Sequence, residues 1–196
     1  MHSFSVRMLS PAQVRTLYEE RLRDDFPPDE LKPLWIIERA IARGEYVCYG
    51  AAEGEQTLAY AFFVRLEFSN GTCALLDYYA VRKDLRGKGM GGGFLQALIA
   101  GPLKGMTCVL LEVDDPDCAA DAQERMIRER RLRFYLRNGL TDTAVTAVVY
   151  GVSYRILVLP VGVASSPEET RRVYAAIYRA MLPAKIYAEK VEIHSP

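Results

Sequence analysis

The spacing of apolar residues changes twice along the chain, from helical to extended and then to an alternation of the two. A short strand is expected at residues 4–8. Ser10-Pro11-Ala12-Gln13 then carries a capping box with proline at the first helical position, where its missing N–H costs nothing. Val14, Leu17, Tyr18 and Leu22 follow on one face of the helix it opens, and the segment 24–28 ends it. A second helix is expected with Leu31, Leu34, Trp35, Ile37 and Ile41 at helical spacing, and Gly44 as its stop. From Tyr46 the period is that of a strand. Segments 46–51, 57–68 and 72–81 are rich in aromatic and β-branched residues, and are separated by Glu53-Gly54-Glu55 and by Asn70-Gly71, a strong hairpin signal. Two helices are thus followed by an antiparallel meander.

Beyond Val81 helix and strand alternate. A glycine-rich turn leads into a helix with Met90, Phe94, Leu95, Leu98 and Ile99 facing inward, and a buried strand follows at 107–113. Asp121 with Glu124 caps a long helix that runs to about Arg137, where Gly139 ends it. Further strands are expected at 144–150 and 154–159. Ser166-Pro167-Glu168-Glu169 repeats the capping signature and starts a helix reaching Met181, and 186–193 is expected to close the chain as a strand. No repeat or linker divides this pattern, which predicts one α/β domain over 1–196.

Composition narrows the class. At 196 residues, 50% apolar and 26% charged, the chain can bury a substantial core. Its 25 basic and 25 acidic residues cancel, so no overall field draws it to nucleic acid or anionic lipid. No apolar run approaches the roughly 18–20 residues that span a bilayer. The first ten residues lack a basic stretch followed by an apolar one, so no secretory signal is expected. Cys48, Cys73, Cys108 and Cys118 form no C-x-x-C pair, and only two histidines accompany them. Reduced thiols in a cytoplasmic protein, with no metal, are expected. No Ser-His-Asp pattern is present.

The residues richest in chemical information are Arg86-Gly87-Lys88-Gly89-Met90-Gly91-Gly92. Glycines at this density allow positive φ and a close approach of backbone to ligand. The helix they open presents unbonded N–H groups and the positive end of its dipole, which together make a phosphate site, flanked here by Arg86 and Lys88. The P-loop pattern does not fit, because Arg82 stands where its first glycine belongs and no Ser or Thr follows Lys88. Gly87-x-Gly89-x-x-Gly92, with Glu112 about 20 residues on, matches the dinucleotide fingerprint letter for letter. Its setting differs, since a polar stretch of five residues separates it from the strand and a meander precedes it.

The segment from Asp77 to Gly91 resembles the core motif of the Gcn5-related N-acetyltransferases, the GNAT superfamily: a strand, a short polar turn, then Arg/Gln-x-x-Gly-x-Gly/Ala opening a helix. Leu110-Leu111-Glu112-Val113 resembles the family's next strand. Arg133-Phe134-Tyr135-Leu136-Arg137-Asn138-Gly139-Leu140 resembles the helix end at which a tyrosine precedes a terminating Gly-Phe. The order of elements agrees over residues 4–150. Arg128 replaces an asparagine common in the family, Leu140 replaces the usual phenylalanine, and a helix–strand extension from about residue 151 exceeds the minimal fold.

The resemblance implies a mixed, mostly antiparallel central sheet flanked by helices and splayed at the cofactor site. It implies acetyl-CoA as cosubstrate, lying between the strand ending at Val81 and the strand containing Glu112. Backbone N–H groups of Gly87, Lys88, Gly89, Met90 and Gly91, with Gly92 behind them, would hold the pyrophosphate, with Arg86 and Lys88 near it. Tyr79, Ala80 and Val81 would pair with the pantetheine arm through their main chain, and an N–H near Tyr79 would stabilise the oxyanion. Tyr135 takes the position of the family's general acid. An amine with a pKa near ~10.4 must lose a proton before it attacks. Asp77 and Glu112, carboxylates in apolar strands, are both candidate bases, and Asp77 shares a face with Tyr79 and Val81.

The acceptor stays open between small-molecule amines and peptide amines. Tyr18, Phe26, Trp35, Tyr150 and Tyr154 are candidates to line its pocket or to pack in the core. The arginines at 125, 128, 130, 131, 133 and 137, with Glu124 and Glu129 between them, read as a solvated helix face. The C-terminal extension could make a homodimer contact. A non-catalytic acyl-CoA-binding module and, further off, a nucleotide-binding oxidoreductase are the alternatives.

Overall fold

The computed structural model describes residues 3–28, 30–162 and 166–196. Strand β1 (Ser5–Met8) leads to Ser10, whose hydroxyl accepts from the Gln13 N–H at 3.3 Å while Gln13 Oε1 accepts from the Ser10 N–H at 2.9 Å. Helix α1 (Pro11–Leu17) therefore starts at its predicted cap, then passes through a wider π-helical turn (Tyr18–Leu22) into a short last turn, α2 (Arg23–Asp25). Val14, Leu17, Tyr18 and Leu22 are all buried. Helix α3 (Leu34–Ala42) begins later than its apolar spacing suggests. Pro33 disfavours the helical conformation at Lys32, so Leu31 is left in the preceding loop. Trp35, expected on the inner face, is 59% exposed beneath the Arg39 guanidinium. Gly44, at φ 73°, closes the helix: its N–H reaches Ile41 O and that of Glu45 reaches Ala40 O, the paired bonds of a Schellman end.

Strands β2 (Tyr46–Glu53), β3 (Gln56–Phe68) and β4 (Gly71–Val81) follow, with β2 antiparallel to both β1 and β3. Tyr60, Phe62 and Phe63 on β3 are fully buried, and each large apolar side chain removed from water contributes about 1.5–3 kcal/mol. Helix α4 (Met90–Ala100) comes after the glycine turn. The segments Met1–Arg65 and Asp77–Ala97 make one compact unit, with strand order β1-β2-β3-β4.

Leu66–Leu76 and Leu98–Pro196 make the other. Here the first half of β4 pairs in parallel with β5 (Cys108–Asp114), in register from Cys73↔Cys108 to Leu76↔Leu111. Helix α5 (Ala122–Arg137) starts where Asp121 accepts from the Glu124 N–H at 2.7 Å. Strands β6 (Thr141–Val149) and β7 (Val152–Val158), helix α6 (Pro167–Met181) capped by Ser166, helix α7 (Ala184–Lys190) and strand β8 (Val191–His194) complete the unit. β7 is antiparallel to β5 and β6, and β6 to β8. The strand order of the open, mixed eight-stranded sheet is β1-β2-β3-β4-β5-β7-β6-β8, the α+β fold expected.

The closing strand is shorter than expected. Residues 184–190 are helical, because Ala184, Lys185, Ala188, Glu189 and Lys190 all favour helix and Pro183 provides its start. Cys48, Cys73 and Cys108 are buried, Cys118 is exposed, and none of the four is in a disulfide. A hydrogen bond to Cys108, reinforced by burial, pushes the Cys73 thiol up.

Thr170 on α6 is fully buried, and its hydroxyl has no hydrogen-bond partner among the described residues. A buried hydroxyl left unmatched costs about 1–3 kcal/mol. Thr170→Val keeps the shape and removes the polar atom, so chemical denaturation should show the variant to be more stable by about 1 kcal/mol. A loss of stability would mean that the hydroxyl is satisfied in solution.

Candidate functional site

At the end of β4 the chain turns through a short 3₁₀ segment, Lys83–Leu85, into four exposed residues, Arg86 to Gly89, before α4 begins at Met90. Two buried side chains, Leu85 and Met90, pin the ends of this exposed run. Gly87 and Gly89 sit at φ 75° and 81°, and a Cβ on either would meet nothing within 4 Å. Their conformation is therefore set by the turn itself and not by crowding. The first helical bond of α4 is that of Gly93 N–H to Gly89 O at 3.0 Å, so the amides of Met90, Gly91 and Gly92 lie ahead of it. This is the leading end of an 11-residue helix, with backbone donors and a positive dipole end at an exposed turn.

Side chains brace that turn from behind. The Arg86 guanidinium donates to Val81 O at 2.9 Å and to Asp25 Oδ1 at 2.6 Å. The Asp25 carboxylate is only 4% exposed, and its other oxygen accepts from the Tyr60 hydroxyl at 2.9 Å. Tyr79 donates to Gly91 O at 2.5 Å and stacks on Phe94 with ring centroids 5.7 Å apart. The end of the strand and the first turn of the helix are thus tied by both backbone-directed bonds and ring packing. Asp25 and Tyr60 had no local sequence signal for this part. Lys88 is exposed.

Along β4, Tyr78 and Ala80 are buried and Asp77, Tyr79 and Val81 are partly exposed, which is the predicted alternation. Asp77 receives the Lys32 ammonium on Oδ1 at 2.5 Å and the Tyr46 hydroxyl on Oδ2. Burial, then the Asp77 charge, pushes the Tyr46 hydroxyl well up. Tyr78 accepts from the Lys32 N–H at 2.8 Å and donates to Glu30 O at 2.9 Å, and Tyr18 donates to Lys32 O at 3.0 Å. The loop that carries Lys32 is therefore held by two phenols and an ion pair. Phe26, one of the candidate pocket aromatics, packs edge-on against the Tyr78 ring.

Glu112 and Tyr135 belong to the second unit. Glu112 Oε1 accepts from the Tyr178 hydroxyl at 2.6 Å and also from the Tyr174 hydroxyl. Both tyrosines lie on α6, and sequence reasoning assigned neither of them a role. Their spacing of four was visible, but not the strand they meet. Tyr135 is 6% exposed near the end of α5, with its ring against that of Phe134. Burial pushes its hydroxyl up to about 12, against the pull of Arg131. The helix is closed just beyond it by Gly139 at φ 90° and by Leu140 N–H to Tyr135 O at 3.3 Å.

The arginines of α5 are largely matched. Arg131 meets Asp114 at 2.7 Å, Arg125 meets Asp117 at 2.9 Å, and Arg128 bonds Glu124 and Asp115 O. Tyr150, another candidate pocket aromatic, is 57% exposed.

Comparison with known proteins agrees with the fold. The model of the acetyltransferase (GNAT) family matches residues 14–139. No curated protein sequence matches the chain. Among solved structures, a putative GNAT-family acetyltransferase from Bacteroides thetaiotaomicron is similar with a TM-score of 0.67 and 17% identity, over 89% of this chain and 96% of that one. The ribosomal-protein-S18-alanine N-acetyltransferase from Escherichia coli is similar at 0.56 and 20%, over 83% and 97%. NAA60 from Arabidopsis thaliana in complex with acetyl-CoA is similar at 0.57 and 13%, over 80% and 98%.

Proposed function

Because the chain belongs to the acetyltransferase (GNAT) family, we propose that it moves an acetyl group from acetyl-CoA to a primary amine by direct attack on the thioester. The observation that carries this reading is the exposed turn at the leading end of α4, with Gly87 and Gly89 at positive φ and nothing among the described residues within 4 Å of a Cβ placed on either. The amides of Gly87 to Gly91 would hold the diphosphate. Arg86, engaged by Asp25 and Val81 O, would act by bracing the turn. The main chain of Tyr79 to Val81 would carry the pantetheine arm.

In the reaction, the neutral amine nitrogen adds to the thioester carbon, and an N–H near Tyr79 stabilises the oxyanion. The C–S bond then breaks, and Tyr135 gives a proton to the departing thiolate. A carboxylate, directly or through water, takes the proton that the amine sheds. An ammonium already lies against Asp77, so a proton there would strand the Lys32 charge. Glu112 accepts from the Tyr174 and Tyr178 hydroxyls, which hold its carboxylate in one place, and it is the base in this reading. Acceptors consistent with the structural neighbours include an alanine of a protein and the polyamine spermidine. The setting in this reading is cytoplasmic, where cysteines such as these stay as thiols.

Isothermal titration with acetyl-CoA tests the reading first. Saturable binding in the micromolar to low-millimolar range is expected, followed by thiol release when a panel of primary amines is added. No heat of binding at millimolar ligand would remove the proposal. Binding without transfer to any amine would reduce the protein to a CoA-binding module.

A further inference from the structure

We infer that Tyr174 and Tyr178 are positioning residues for catalysis, so that helix α6, which lies outside the family match to residues 14–139, completes the catalytic base Glu112. The inference rests on the acetyl-transfer reading and deepens it. Tyr174 is fully buried and Tyr178 is 7% exposed. Four residues apart on one helix, they present their hydroxyls to the same place, with ring centroids 4.9 Å apart. Val173 and Ile177, buried on the same helix, make this an apolar setting where two phenols are costly unless bonded. Both converge on Glu112 Oε1.

Two donors on one carboxylate oxygen favour its charged form and hold it in one rotamer. A base must be ionised to accept a proton and must be aimed to accept it from the right atom. Tyr174 remains a donor throughout, since burial and the Glu112 charge push its hydroxyl well up. In the β5–β7 ladder the uncharged Ile156 stands opposite Glu112, while Arg155 and Tyr154 stand opposite Val113 and Asp114. Arg155 is bonded to Asp115 and Asp117, and Asp114 to Arg131 of α5.

The competing explanation is that the phenols merely anchor α6 to the sheet. A pH profile separates the two. Thiol release from acetyl-CoA is followed across pH for the full chain and for Tyr174→Phe and Tyr178→Phe, with the fastest amine of the panel or with water as acceptor. Melting temperature and acetyl-CoA affinity are measured alongside. Loss of a donor raises the pKa of the base, so the acid limb of kcat/KM should move up by about one pH unit in each variant. Activity should recover at higher pH, with acetyl-CoA affinity unchanged. A lower melting temperature with an unmoved limb overturns the inference. If a phenylalanine variant does not fold, 3-fluorotyrosine at position 178 keeps the bond and strengthens the donor. The limb should then move down, and an unmoved limb overturns the inference. If the unaltered protein does not bind acetyl-CoA, the acetyl-transfer reading falls and this inference with it. Binding retained with no shift in the limb removes this inference alone.

Discussion

Tyr135→Phe is expected to lower kcat about 10²- to 10⁴-fold, the range of a lost general acid, and to leave KM for acetyl-CoA nearly unchanged. The ring is 6% exposed and packed against Phe134, and phenylalanine refills that place, so the substitution removes one hydroxyl and little else. The sign of the pH effect follows from burial. Because the hydroxyl is pushed up to about 12, it carries its proton throughout the working range and is present as a donor at every pH below that value. Tyr135 should therefore add no alkaline limb to the kcat profile, and the variant should lose activity by the same factor from neutral pH to about pH 10. Steady-state thiol release with acetyl-CoA varied at saturating amine measures both constants. Unchanged kcat would end the role of Tyr135 as acid.

Gly162→Ala is expected to produce the largest loss of stability of any glycine-to-alanine change in the second unit. Gly162 lies at φ 68°, and a Cβ there would come within 2.1 Å of Thr107 O and 2.7 Å of Met106 O. These are backbone atoms, and Thr107 cannot easily give way because its N–H is bonded to Thr72 O at 2.8 Å, which starts the parallel pairing of β4 and β5. A left-handed residue with a Cβ costs about 1–2 kcal/mol, and forced displacement of packed atoms adds about 1–3. Together they give a loss of about 3 kcal/mol, or a fall in Tm of about 6–12 °C for a protein of this size. Gly105→Ala is the control. Gly105 is also at positive φ, 93°, but a Cβ there meets nothing within 4 Å, so only the conformational cost of about 1–2 kcal/mol remains. Equal losses in the two variants would show that the backbone near Thr107 yields.

The parts of the fold that were legible share a physical feature: their cause lies within a few residues of the chain. Ser10 with Gln13, Asp121 with Glu124 and Ser166 with Glu169 each satisfy their own first-turn amides, so helix starts could be placed from local text. The glycine turn was legible for the same reason, since positive φ at Gly87 and Gly89 is a property of the backbone there. Leu31 and the segment 184–190 misled in the opposite direction. Apolar spacing suggested helix at Leu31 where Pro33 forbids it, and strand at 186–193 where alanine, lysine and glutamate favour helix as far as Lys190.

Residue types at the candidate site were also legible, but their partners were not. Asp77 and Glu112 stood out as carboxylates in apolar strands. Lys32, Tyr46, Tyr174 and Tyr178, which bond them, are between 31 and 66 residues away along the chain. No periodicity reports such a meeting, because it is made by the folding of whole elements onto the sheet.

Thus the linear order of residues determined where the helices are capped, which strand runs into a glycine turn and where a helix end with exposed backbone N–H groups forms, since each depends on short-range sterics and hydrogen bonding. Tertiary structure alone decided that Arg86 turns back to Asp25, that Lys32 occupies Asp77 and that two phenols of α6 close on Glu112. These choices depend on which distant polar groups are buried side by side, where an unmatched charge or hydroxyl is costly enough for the fold to supply it a partner.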